Sequence, residues 1–127
     1  MDRIRILFVD DEAIVREGLK KCIDWEVNGF EVVGAAENGE KALAYLGQLS
    51  VNIVVTDIKM PVMDGLEATF LIRQFDENIP IIALTANAFD SDKEAAFAVG
   101  CNHFMTKPLK KKELMKLLSD FVEERTF

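Results

Sequence analysis

A chain of 127 residues, half of them hydrophobic and only 3 of them proline, is long enough to bury one compact core and too short for two. Its 15 basic and 22 acidic residues leave a net charge of −7, which argues against a surface that grips nucleic-acid phosphates. Its apolar runs are far shorter than the roughly 20 residues that span a bilayer, and no signal core follows Met1, so a cytoplasmic protein with no membrane contact is expected.

The first strand is expected over Ile4–Val9, followed by a helix marked by Ile14, Val15, Leu19, Cys22 and Ile23. Trp25 then reads as a hydrophobic plug, with Gly29 at the turn into a second, weakly marked strand, Val32–Ala35. Ala42, Leu43 and Leu46 mark a second helix, Ile53–Thr56 a third strand, and Leu66, Phe70 and Leu71 a third helix. A fourth strand over Pro80–Leu84 leads to a helix of mixed face through Phe89, Lys93, Ala96 and Phe97, and His103–Met105 forms a short fifth strand. Leu114, Leu117, Leu118, Phe121 and Val122 repeat at amphipathic spacing in the last helix.

Strands apolar on both faces, joined by helical crossovers, imply an α/β fold with a parallel sheet covered on both sides. With right-handed crossovers, five strands suit a doubly wound flavodoxin-like (βα)5 sheet in the order 2-1-3-4-5. Ligands of such sheets bind beyond the carboxyl ends of strands one and three, where the strand order reverses.

Strand one ends at Val9-Asp10-Asp11-Glu12 and strand three at Thr56-Asp57, which brings the carboxylates of Asp10, Asp11 and Asp57 to that switch point. Such a cluster is costly without a cation, and hard oxygen ligands with room for water suit Mg²⁺. Asp57 is then the natural nucleophile toward phosphorus, because a carboxylate attacking there yields an acyl phosphate. Taken alone, the Asp10–Asp11 pair reads equally well as a cap on the first helix. Thr85, ending strand four, and Lys107, following strand five, border the same crevice and would supply a hydroxyl and an ammonium to phosphoryl oxygens. Before any phosphorylation, Lys107 is expected to pair with Asp57.

Four segments, Phe8-Val9-Asp10-Asp11-Glu12, Thr56-Asp57 through Asp64-Gly65, Leu84-Thr85-Ala86 and Thr106-Lys107-Pro108, resemble the response-regulator receiver family of two-component systems over essentially the whole chain, 1–127. The resemblance implies Asp10 and Asp11 as the acidic metal pair, Asp57 as phosphoacceptor and further metal ligand, and the backbone carbonyl of Lys59 as another. It implies Thr85 as the switch hydroxyl, Lys107 as the phosphate-contacting lysine, and Phe104 as the aromatic that turns inward. Helix four, strand five and helix five, including Phe89, Phe97 and Lys110 to Lys112, would form the surface that changes, and the bond before Pro108 is expected to be cis. Lys59 and Asn87 would tune the phosphoryl lifetime, and neither offers a carboxylate to position water, so slow self-dephosphorylation is expected. The implied partners are a sensor histidine kinase or phosphotransfer protein, an output domain outside this chain, and a second copy in a phosphorylation-dependent homodimer. Residues 12 to 46 look similar to receivers that precede AraC-type DNA-binding domains, whereas residues 82 to 108 look more like those of hybrid histidine kinases. The chain ends where a receiver's last helix is expected to end, as either a stand-alone protein or a fragment.

Other readings fit less well. An aspartyl-nucleophile phosphohydrolase would carry Asp-x-Asp, whereas Asp57 is followed by Ile58 and Lys59. A phosphate-independent protein-binding module would not need Asp10, Asp11, Asp57, Thr85 and Lys107 together. Flavin binding lacks a phosphate-cradling loop after strand one. Cys22 and Cys101 read as reduced, buried thiols, His103 has no role, and Met60, Met63 and Met105 read as packing.

Overall fold

Short runs of Ile, Leu, Val and Ala such as 53–55 and 81–84 suit strands buried on both sides, and the computed structural model places five strands in one parallel sheet, ordered 2-1-3-4-5 in chain numbering. It describes residues 3–60, 62–86, 90–107 and 110–125, leaving aside the side chains of Cys22, Asp90 and 122–125. Pro61, Asn87, Phe89 and Pro108, and with them the expected cis bond and part of the expected switch surface, lie outside the described residues. Strands β1 (Ile4–Val9), β2 (Phe30–Ala36), β3 (Ile53–Asp57), β4 (Ile81–Thr85) and β5 (His103–Thr106) alternate with helices α1 (Ala13–Cys22), α2 (Gly39–Gln48), α3 (Gly65–Arg73), α4 (Asp90–Val99) and α5 (Lys111–Arg125).

The period-two alternation of the strands sorts the core into two layers. Ile6, Phe8, Ile53, Val55, Ile82 and Leu84 pack against Leu19 and Ile23 of the α1 region and Leu114, Leu118 and Phe121 of α5. Leu7, Val9, Val54, Ile81 and Ala83 face Ala42 of α2, Ile72 of α3 and Ala96 of α4. Each fully buried Leu or Ile contributes about 1.5–3 kcal/mol of transfer free energy, so both faces must stay covered. Trp25 plugs the lower end of the first layer, its ring 5.4 Å from that of Phe8 and its indole N–H donating to the Leu19 carbonyl at 2.9 Å.

Three strands run further than the sequence suggests, β3 by one residue to Asp57, and β4 sits one residue later than expected, at Ile81–Thr85. β2 begins at Phe30 because Ile4 donates its N–H to the Gly29 carbonyl and pairs with Phe30, and Gly29 reaches this turn at φ +88°. The β1–β2 register skips one residue, from Ile6↔Val32 to Leu7↔Gly34. β5 continues to Thr106, which pairs with Thr85.

The last turn of α3 is tied to the α4–β5 connection by one side chain. Arg73 donates Nε and Nη2 to the Gly100 carbonyl at 3.0 and 2.8 Å, Nη2 to Asn102 Oδ1 at 2.9 Å and Nη1 to the Asp76 carbonyl at 3.0 Å. Asn102 in turn holds the start of β4, accepting from the Ile81 N–H and donating its own N–H to the Ile81 carbonyl.

Candidate functional site

Because all five strands run the same way, their carboxyl ends share one rim of the sheet, and the first polar residue after each apolar run arrives there. Asp10 follows β1, Asp57 ends β3, Thr85 ends β4 and Lys107 follows β5. Asp10, Asp57 and Thr85 are buried, at 1%, 7% and 1% exposure, which is unusual for carboxylates and requires partners.

Lys107 supplies the partner for both acids. Its Nζ donates to Asp10 Oδ2 at 2.7 Å and to Asp57 Oδ2 at 3.0 Å. Burial alone would pull the lysine pKa down, but the hydrogen bonds and charges of Asp10 and Asp57 outweigh it and hold the ammonium above its ordinary value. The expected Lys107–Asp57 pair is present, and the shorter bond goes to Asp10. The Lys107 N–H also donates to the Thr85 carbonyl at 2.7 Å, which locks the end of β5 to the end of β4.

Asp10 does not cap α1 in the usual way: its Oδ1 accepts from the Glu12 N–H at 2.9 Å, within the connection, while the N-cap Glu12 makes no side-chain cap bond. Asp11 is exposed, and its carboxylate groups with those of Asp10 and Glu12, their nearest oxygens within 4.8 Å of one another. Asp57 is not in that grouping and joins Asp10 through Lys107 instead, as two buried like charges need a cation between them. Asp57 Oδ1 accepts the Lys59 N–H at 3.2 Å, which turns the chain directly after Asp57.

The donor set suits a hard divalent cation. Two buried carboxylates share a single ammonium, and exposed Asp11 and Glu12 add further oxygens beside Asp10, so the rim keeps a surplus of negative oxygen ligands of the kind Mg²⁺ takes.

The connection after Asp57 is shaped by Gly65, whose N–H donates to the Ile58 carbonyl at 3.1 Å and whose Cα lies close against the Asp57 carbonyl. Met63 accepts from the Gly39 N–H at 2.8 Å, so the same connection is anchored to the start of α2. Val62 takes a φ of +68° within it and is 76% exposed. On β5, Phe104 is half-buried opposite Ala83 and shares a sheet face with Thr85. His103 is exposed and meets the ring of Phe121 edge-on at 5.2 Å, a packing contact.

Arg16 is a contributor that the sequence did not single out. From the second turn of α1 its Nη1 reaches back to the Asp10 carbonyl at 2.7 Å. A cation near a helix N-terminus opposes the macrodipole, and that misfit was the available signal.

Comparison with known proteins agrees with this geometry. Residues 6–119 match the family model described as the response regulator receiver domain. The chain is 34% identical over 116 residues to the chemotaxis protein CheY of Halobacterium salinarum, covering 91% of this chain and 94% of that one. It is 33% identical over 121 residues to the transcriptional regulatory protein YesN of Bacillus subtilis, covering 94% of this chain but only 33% of that protein's length. Among solved structures, the REC domain of AraT, a response regulator from Geobacillus stearothermophilus, superposes with a TM-score of 0.86 at 32% identity, covering 96% of this chain and 95% of that one. No helix among the described residues is long and apolar enough to cross a membrane.

Proposed function

The chain belongs to the response regulator receiver domain family, and on that premise we propose that it is a phosphoacceptor switch whose single acceptor is Asp57. The observation that carries the reading is the convergence of Asp10, Asp57 and Lys107 at one rim, with Thr85 ending the neighbouring strand. The donor is the phosphohistidine of a sensor histidine kinase or phosphotransfer protein. A carboxylate oxygen of Asp57 forms the new bond to phosphorus as the P–N bond breaks, and the imidazole leaves with the electron pair.

Asp10, Asp11, Asp57 and the Lys59 carbonyl would hold Mg²⁺, which when bound neutralises phosphoryl charge and aligns the group for in-line transfer. Lys107 has a flexible stem and already touches Asp57, so it carries its ammonium from the carboxylate to a phosphoryl oxygen. The Thr85 hydroxyl donates to a second oxygen. Its inward movement vacates space on the face it shares with Phe104, which turns in beside Ala83. The surface of α4, β5 and α5, including Phe97 and Lys110 to Lys112, repacks and passes the state to an output domain or to a second copy. The chain catalyses only its own phosphorylation and dephosphorylation in the cytoplasm, with no nucleic-acid contact of its own. Lys59 and Asn87 offer no carboxylate to position water, which favours a long-lived phosphoryl group.

The test is intact-mass measurement after incubation with acetyl phosphate, with Mg²⁺ or with EDTA, for wild type and Asp57→Asn. One Mg²⁺-dependent phosphoryl adduct on wild type and none on the variant is the expected result. An adduct that persists in Asp57→Asn, or none on wild type with both acetyl phosphate and an active histidine kinase, overturns the reading.

A further inference from the structure

Glycine follows asparagine at two places, Asn28-Gly29 and Asn38-Gly39, and in such a pair no Cβ shields the backbone nitrogen that can turn back on the asparagine side chain. The fold treats the two pairs differently. Asn38 is buried and caps α2, its Oδ1 accepting the Lys41 N–H at 2.9 Å, while the Gly39 N–H donates to the Met63 carbonyl at 2.8 Å. A methyl on Gly39 would meet Met63 at 2.8 Å and Ala68 at 2.9 Å, so the nitrogen is freed only if the first turn of α2 parts from its neighbours. Asp64-Gly65, which could react in the same way, is held likewise by the Asp64 cap on the Glu67 N–H and the Gly65 bond to Ile58. Asn28 and Gly29 are instead exposed, in the turn between α1 and β2. There Asn28 Nδ2 donates to the Asp24 carbonyl at 2.8 Å and the Gly29 N–H to the Glu26 carbonyl at 3.1 Å, both within the same turn. A methyl at Gly29 would meet nothing within 4 Å. Opening the end of that turn frees the nitrogen without unpacking either core layer.

We propose that Asn28 is the site at which the folded chain modifies itself by deamidation, with Gly29 as the internal nucleophile. The deprotonated Gly29 nitrogen bonds to Asn28 Cγ, the Cγ–Nδ2 bond breaks, and Nδ2 leaves as ammonia with the proton, closing a succinimide. Water then opens the ring at either carbonyl, giving aspartate or isoaspartate. Isoaspartate carries the main chain through its Cβ, which inserts a methylene between residues 28 and 29. That insertion falls where the sheet begins: the Gly29 carbonyl accepts the Ile4 N–H at 3.0 Å, and the Phe30 N–H donates to the Trp25 carbonyl at 2.8 Å. The start of the β1–β2 pairing therefore loosens, while the acidic rim lies at the opposite end of β1 and keeps its geometry. The proposal does not rest on the acceptor role of Asp57.

The experiment incubates the whole chain at mildly alkaline pH, folded and in guanidinium chloride, and follows the tryptic peptide 22–41, which carries both asparagines. Electron-transfer fragmentation locates each deamidation and separates isoaspartate from aspartate. In the folded chain Asn28 should react at least about tenfold faster than Asn38, and in denaturant the two rates should come within about threefold of each other. Equal rates in the folded chain overturn the proposal, and so does a folded Asn28 that stays intact while both sites react in denaturant. Amide hydrogen exchange reads the consequence: in the isoaspartate fraction Ile4 and Phe30 should exchange at least about fivefold faster, with Asp10 unchanged. Asn28→Asp, which adds the charge without the methylene, should keep wild-type exchange at Ile4. Unaltered exchange at Ile4 and Phe30 in the isoaspartate fraction, or the same acceleration in Asn28→Asp, overturns the role given to the lengthened main chain.

Discussion

Gly65→Ala and Gly18→Ala make the same chemical change with opposite expected signs. A methyl at Gly65 would lie 2.3 Å from the Asp57 carbonyl oxygen, 2.9 Å from Ile58 Cα and 3.0 Å from Thr56 Oγ1. Two of those atoms are backbone at the end of β3 and cannot rotate aside. The connection must shift, at about 1–3 kcal/mol for overpacking. The shift also loosens the Gly65 N–H bond to the Ile58 carbonyl, worth about 1 kcal/mol. The total is about 2–4 kcal/mol of lost stability, and the displaced Asp57 should accept a phosphoryl group more slowly in the molecules that remain folded. At Gly18, exposed inside α1, a methyl meets nothing within 4 Å, and relief of glycine's backbone entropy should stabilise by roughly 1 kcal/mol. Urea unfolding followed through Trp25, the only tryptophan and a buried one, reads both. A Gly65→Ala midpoint indistinguishable from wild type, or a destabilised Gly18→Ala, would refute the reasoning.

Val62→Asn should raise the urea midpoint, gaining about 1 kcal/mol, because Asn tolerates the left-handed φ of +68° better and the exposed valine gives up little burial; a lowered midpoint would count against strain there. Lys107 carries a raised pKa in the folded protein, so its contribution to stability is complete below the ordinary value of 10.5 and is lost as pH climbs through the folded value. The stability of wild type relative to Lys107→Met, from urea midpoints between about pH 8 and 11, should therefore fall toward the alkaline end; a difference that grows there would contradict the ion-pair geometry. Burial pushes the Cys101 thiol up, against a weaker opposing contact with Thr69 Oγ1, so iodoacetamide with peptide mapping should leave Cys101 unmodified at neutral pH until urea unfolds the chain. Rapid labelling of Cys101 in the native protein would contradict its placement.

The sequence made the sheet legible where a strand is apolar apart from Arg5 near the start of β1 or apart from its carboxyl end, as in β3 and β4. It understated β2, where Glu31 and Gly34 interrupt the apolar run and where the skipped register at Val33 depends on the neighbouring strand. The acidic rim was legible for the same reason as the strands: the first charge after an apolar run marks its end, and parallel strands collect those ends. Pairings across the chain were less so. Nothing near Lys107 indicates that its shorter bond goes to Asp10, 97 residues away, rather than to Asp57. The reach of Arg16 to the Asp10 carbonyl depends on how α1 leaves the sheet, and a β-branched residue such as Val62 gives no local sign that it sits at positive φ.

Arg73 and Gly100 illustrate a different kind of constraint. A methyl on Gly100 would meet the Arg73 side chain at 2.9 Å, and Gly100 stands at φ +111°, a region closed to most residues. Removing the guanidinium would strip two hydrogen bonds from the Gly100 carbonyl and one from Asn102, which seats the first residue of β4. Each position therefore sets what is acceptable at the other, although 27 residues separate them. A library randomised at both should return the pair as a unit, and grafting α4 from a relative without its matching α3 should misfit at this corner before it misfits anywhere in the core.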